Sequence, residues 1–196
     1  MKNSTNIKEQ DPKTSGALAP FASSSFLVLW LATVLSNIGT WMHDVGAGWL
    51  MTSLSTSPLY VALVQTATTL PIFLFARPAG ALADILDKRK LLAIVQVIMA
   101  ITAVALGYTV FHGEISPVLL LVLTFVMGIG AAISAPAWQS IVPSLVPKTL
   151  LQQAVALNSV GINLSRAIGP AIGGAIISYS ISLPFFVNSF SFLLVV

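Results

Sequence analysis

From Phe26 onward the sequence is a succession of long apolar runs broken by short polar loops, and this pattern leaves a chain few ways to fold. In hydrocarbon every backbone N–H and C=O needs a partner within the protein, so only helices and closed barrels persist there. The runs are continuous rather than alternating, so they read as helices, which need about 20 apolar residues to cross about 30 Å at about 1.5 Å per residue. Five spans have that length: about 26–51, 59–83, 91–111, 118–142 and 151–180. A sixth runs over 183–196 and is incomplete, the expectation for a chain cut inside a membrane helix. Residues 1–25 read as a disordered polar tail, which lacks the apolar content for a core. Only 8% of the 196 residues are charged and 56% are hydrophobic, with mean hydropathy +0.93. A soluble chain carries about 25% charge. The fold class is therefore an all-α membrane protein.

The charges that remain fix orientation. Lys2, Lys8 and Lys13 lie in the tail, Lys88, Arg89 and Lys90 between spans two and three, and Lys148 between spans four and five; the loops on the other side have no Lys or Arg. Positive-inside then puts the N-terminus in the cytoplasm. The net charge of +3 forms no basic stripe, so nucleic acid is not a partner. With no cysteine, thiolate catalysis and Cys-based metal sites are excluded. His43 has no second ligand at helical spacing and His112 sits in a distant loop, so no metal site is expected. There is no phosphate-binding loop for ATP and no nucleophile elbow. No catalytic residue and no cofactor are expected.

The two halves of the chain echo each other. Arg77-Pro78-Ala79-Gly80-Ala81 ends span two and Gly169-Pro170-Ala171-Ile172-Gly173-Gly174 lies in span five. Helices three apart in order run in opposite directions, the pattern of two inverted three-helix repeats. Small residues are also simply common in membrane helices.

The loop Gly80-Ala81-Leu82-Ala83-Asp84-Ile85-Leu86-Asp87-Lys88-Arg89-Lys90 resembles the signature of the major facilitator superfamily between helices two and three. Asp87 stands where that signature has glycine, and Ile85 where it has a basic residue. Gly169-Pro170 through Gly173-Gly174 resembles the end of the superfamily's antiporter signature. Pro136-Ala137-Trp138-Gln139 through Pro147, with Ala154 to Ser159, is similar to its enterobactin-exporter-like branch. The resemblance implies the N-terminal six-helix bundle of a twelve-helix transporter in a bacterial inner membrane. It further implies export of a siderophore- or drug-like molecule, with the C-terminal half or a second copy supplying the other wall of the pathway. A truncated, non-transporting fragment or interaction subunit is the alternative. Thr124 stands where many drug antiporters have an arginine, so proton coupling through that residue has no support.

Within the spans a charge left to lipid costs at least about 2.5 to 3.5 kcal/mol, so each needs a partner or water. Asn37, Trp41 and Asp44 share one face of span one. With Gln139 and Arg166 they are the candidate transport cavity, where Asp44 would attract a cationic cargo or exchange a proton. Equally, Asp44 lies about 27 Å along a helix starting at Phe26, near the outer surface. Arg166 is at a depth that could reach Asp44, either as a releasable pair or for packing alone. Arg77 reads as snorkelling to the interface. Gly80, Asp84, Lys88 and Arg89 are candidates for a cytoplasmic gate, or for topology anchors near anionic lipid. Gly169, Pro170, Gly173 and Gly174 are candidates for a bend in helix five, although close packing alone accounts for the glycines.

Overall fold

The computed structural model describes residues 16–195 and is built from helices. These are α1 (Ser24–Leu54), α2 (Pro58–Ile85), α3 (Lys88–Phe111), α4 (Pro117–Ile141), α5 (Leu151–Ile177) and α6 (Leu183–Leu193). The first five are long and apolar enough to cross a membrane; α6 is apolar but has 11 residues.

The boundaries follow local chemistry. Ser23 caps α1 by accepting the N–H of Phe26 at 3.4 Å, and Ser116 caps α4 by accepting that of Leu119 at 3.2 Å. Pro58 and Pro117 begin their helices where no backbone donor is needed. α3 ends at Gly113, which has φ +71°, with Gly113 N–H donating to Val110 O and Glu114 N–H to Thr109 O. Only glycine takes that conformation without strain, and the two bonds satisfy the last carbonyls. The tail expected through residue 25 takes up structure in its described part, from residue 16. Ala19–Ala22 forms a 3-10 turn, and Ala19 and Phe21 pack against a core with Phe26, Trp30 and Leu150. An aromatic beside proline supplies the anchor that the polar composition concealed; residues 1–15 lie outside the described residues.

Helix pairing has the symmetry of an inverted repeat. α1 packs along α5 as α4 packs along α2, α3 packs on α4 as α6 packs on α1, and α3 and α6 pack on each other. Exchanging the two triplets maps this set of pairs onto itself. Corresponding helices run in opposite directions, so the relating axis lies in the membrane plane. Burial repeats as well: Val64, Ala67, Pro71, Ala79 and Ala83 on α2 match Ala154, Leu157, Gly161, Gly169 and Gly173 on α5, each pair 90 positions apart. In this register Pro170 corresponds to Gly80 and Pro78 to Ile168. The sequence echo, which aligned the two prolines, is therefore two residues out, because helix contact and not proline placement decides which positions are buried.

The α1–α5 seam is a close contact that positions residues of interest. Small residues at every fourth place on α5 let the backbones approach. A Cβ on Gly161 would stand 2.8 Å from Val34 Cγ2, and one on Gly169 would stand 2.5 Å from Trp41 Cβ. Ser165, fully buried between them, donates from Oγ to Val34 O at 3.1 Å or to Gly161 O at 2.9 Å. Trp30 Nε1 donates to Leu157 O at 2.9 Å on the same seam.

Candidate functional site

Residues of α1, α3, α4, α5 and α6 line a cleft of about 230 Å³. α1 contributes Thr33, Ser36, Asn37 and Thr40, which recur at i, i+3, i+4 and i+7 and so fall on one face. α4 does the same with Ala131, Ser134, Ala135 and Trp138. α3 supplies Leu92, Gln96 and Met99, α5 supplies Asn158 and Ile162, and α6 supplies Phe192. Every polar group on this wall is uncharged. Thr33 and Thr40 donate their hydroxyls to carbonyls of their own helix, Leu29 O at 2.7 Å and Ser36 O at 3.1 Å. By contrast Gln96 Oε1, Ser134 Oγ and Trp138 Nε1 are buried and have no protein partner.

The cleft shares Leu92 and Val195 with a wider vestibule of about 640 Å³. Ser24, Ser25 and Val28 of α1, Arg89 of α3 and Leu145 after α4 line the vestibule, at the end of the bundle that carries Lys88, Arg89 and Lys90. Arg89 is held there because Asp87 caps α3: Asp87 Oδ1 accepts the N–H of Arg89 at 3.0 Å and of Lys90 at 3.3 Å. Three basic residues in a first turn oppose the helix dipole, and a carboxylate at the cap offsets this. The residue that departs from the loop signature thus acts as a cap, at φ −62°, where no glycine is required.

The predicted cavity residues separate. Asn37 lines the cleft. Trp41, four residues on and about 40° around α1, turns toward α5, where Arg166 lies over its ring at 5.2 Å from the centroid. That stacking is the contact found for Arg166; Asp44 is half-buried one turn beyond Trp41. Gln139 is exposed and outside the cleft, since the α4 face that looks in passes through Trp138, about 100° away. Gly80 and Asp84 lie away from the vestibule wall, with Asp84 exposed and Gly80 facing open space. Gly169 and Gly173 serve contact with α1, a Cβ on Gly173 falling 3.0 Å from Met42 Cα, whereas a Cβ on Gly174 would meet nothing within 4 Å. Pro170 lies inside the continuous helix α5. His43 is buried with its ring edge-on to Phe185 at 5.0 Å.

Sequence reasoning missed Ser36, Gln96, Ser134, Trp138 and Asn158. Gln96 alone carried a usable signal, as the one amide within the apolar core of α3.

The sequence pattern of the family described as transmembrane secretion effector matches residues 15–196. The staphyloferrin A transporter of Staphylococcus aureus is 33% identical over 81% of this chain and 38% of its own length. The multidrug efflux pump Tap of Mycolicibacterium fortuitum is 26% identical, over 78% of this chain and 38% of its own. Macrolide efflux protein A of Streptococcus pyogenes is 22% identical with the same coverages. The chain therefore spans about two-fifths of the length of the curated relatives it matches.

Proposed function

The chain belongs to the major facilitator superfamily of membrane transporters, which are not enzymes, and from that premise we propose that it forms the N-terminal half of a secondary exporter for a small organic molecule. The observation that carries this reading is a cleft with Asn37, Gln96 and Asn158 among its lining residues inside an apolar bundle, next to a vestibule that Arg89 lines. The seven basic residues in the tail and two loops support a cytoplasmic N-terminus and a vestibule open to the cytoplasm, as export requires. The relatives' names support a siderophore or a drug as cargo and a bacterial inner membrane as the location.

Alternating access needs two bundles rocking about a site between them. α2 and α5 offer faces for the second one: Phe73, Ile85 and Val160 are 84%, 81% and 57% exposed. The test is uptake of a labelled macrolide and a labelled siderophore into everted vesicles energised by a proton gradient. The chain would be fused to the C-terminal half of the staphyloferrin A transporter, with that transporter's own two halves, expressed in the same way, as the control. Uptake of either cargo that collapses with a protonophore is the expected result. A working control beside a fusion that moves neither cargo would overturn the proposal. Uptake by the chain alone would mean that two copies supply both halves.

A further inference from the structure

We propose that residues 16–23 are a latch on the vestibule: docked on the connection between α4 and α5, they hold two walls of its mouth together, and released they let the mouth widen. The proposal uses the transport reading only in making that mouth a route for cargo; the latch itself does not depend on it.

Two segments far apart in sequence pack as one unit. Residues 142–150 join α4 to α5 through 3-10 turns at Val142–Ser144 and Lys148–Leu150. Pro143 and Pro147 supply no N–H there, and no side chain caps α5, so the connection depends on packing to hold its place. That packing comes from the N-terminal side. Pro20 is fully buried, and Phe21 lies beside Phe26 and edge-on to Trp30, with ring centroids 5.8 and 5.1 Å away. These side chains share one core with the buried Val142, Val146 and Leu150.

The hydroxyl of Ser23 ties the two segments. Oγ accepts the N–H of Phe26 at 3.4 Å, which caps α1, and donates to Leu145 O at 3.2 Å. A hydroxyl has one donor and two acceptor sites, so both bonds hold at once. One atom thus starts α1 and binds it to a residue 122 positions later. Between Trp30 and Trp138 about 10 Å³ of space is left, at the lower limit for one water.

The tie stands beside the mouth. Ser24, Ser25 and Val28 form one vestibule wall and Ile141 and Leu145 another, while Leu29 and Leu145 border both the packed joint and the vestibule. The Ser23 to Leu145 bond therefore joins the two walls. It acts with the burial of Pro20 and Phe21, contributions of a size that local opening can overcome.

Because the chain has no cysteine, Ala32→Cys on the vestibule wall reports opening by its rate of reaction with an impermeant maleimide. Ala47→Cys, fully buried about 22 Å further along α1, is the control. The full chain in lipid nanodiscs presents both faces to the reagent. Ser23→Asp keeps the acceptor that caps α1 but cannot donate to Leu145 O. It should speed reaction at Ala32→Cys about fivefold, the shift from losing one hydrogen bond. Phe21→Ser should speed it about tenfold, and Ser23→Thr, which keeps donor and acceptor, should match the parent. Reaction at Ala47→Cys should stay unchanged throughout. Equal rates at Ala32→Cys with and without the latch contacts would overturn the proposal, as would a parallel rise at Ala47→Cys, the sign of a bundle loosened everywhere. If Phe21→Ser gives no monodisperse protein, the Ser23 series decides alone, because Ser23→Asp leaves the cap intact. A responsive Ala32→Cys beside failed vesicle uptake would remove the transport reading and keep the latch. Uptake of cargo beside an unresponsive Ala32→Cys would do the reverse.

Discussion

Gly169→Ala isolates the contact on which the α1–α5 seam depends. The added methyl would lie 2.5 Å from Trp41 Cβ and 3.1 Å from Ile38 O. Carbon atoms sit about 3.5 to 4.0 Å apart at rest, and one of these neighbours is backbone, so α5 must move off α1 by about 1 Å. Overpacking of this kind costs about 1 to 3 kcal/mol. The same displacement stretches the Ser165 Oγ to Val34 O and Trp30 Nε1 to Leu157 O bonds, each contributing about 1 kcal/mol. Against this, alanine gains about 1 kcal/mol over glycine in helix propensity. The net is a loss of about 1 to 3 kcal/mol, and at about 2 to 4 °C per kcal/mol for a chain of this size the unfolding midpoint should fall by about 2 to 12 °C. Gly174→Ala is the matched control, because its methyl meets nothing within 4 Å and only the propensity gain remains. The assay is thermal unfolding in mild detergent, followed by near-ultraviolet circular dichroism and by recovery of monodisperse protein. Equal midpoints for the two variants would refute the close-packing account and leave Gly169 free to act as a bend.

Asp87→Ala should lower the midpoint by about 2 to 4 °C through loss of a cap of about 1 kcal/mol, while Asp87→Asn, which keeps the accepting oxygen, should stay near the unaltered chain. In a double-mutant cycle on unfolding free energy, Trp41→Leu and Arg166→Met should couple by about 0.5 to 2 kcal/mol, the range for a cation over an indole. Asp44→Asn and Arg166→Met should add to within about 0.5 kcal/mol; strong coupling there would restore the ion pair that the sequence allowed. Because the chain has no cysteine of its own, single cysteines report topology directly. At Ser55 and Glu114 they should react with an impermeant thiol reagent from outside, and at Lys148 they should not; the reverse would invert the orientation.

Much of this molecule was legible before folding because the bilayer imposes it. Span number and length follow from hydrocarbon thickness. The inverted repeat could be inferred from two Pro-containing segments, although its register could not, since contact between α1 and α5 and between α4 and α2 decides which residues are buried. The cleft lay mostly beyond the sequence. Asn37 stood on a polar stripe in the sequence, and that stripe splits between two neighbours, leaving Asn37 at the cleft and sending Trp41 to Arg166. Gln139 drew attention for its polarity, whereas helix phase gives the place to Trp138 beside it. Ser36, Gln96, Ser134 and Asn158 come from four helices, and no spacing within one helix states which faces will meet. Hydropathy along a chain records how each residue partitions between water and lipid; which polar side chains come to line one cleft is settled by packing of helices far apart in sequence.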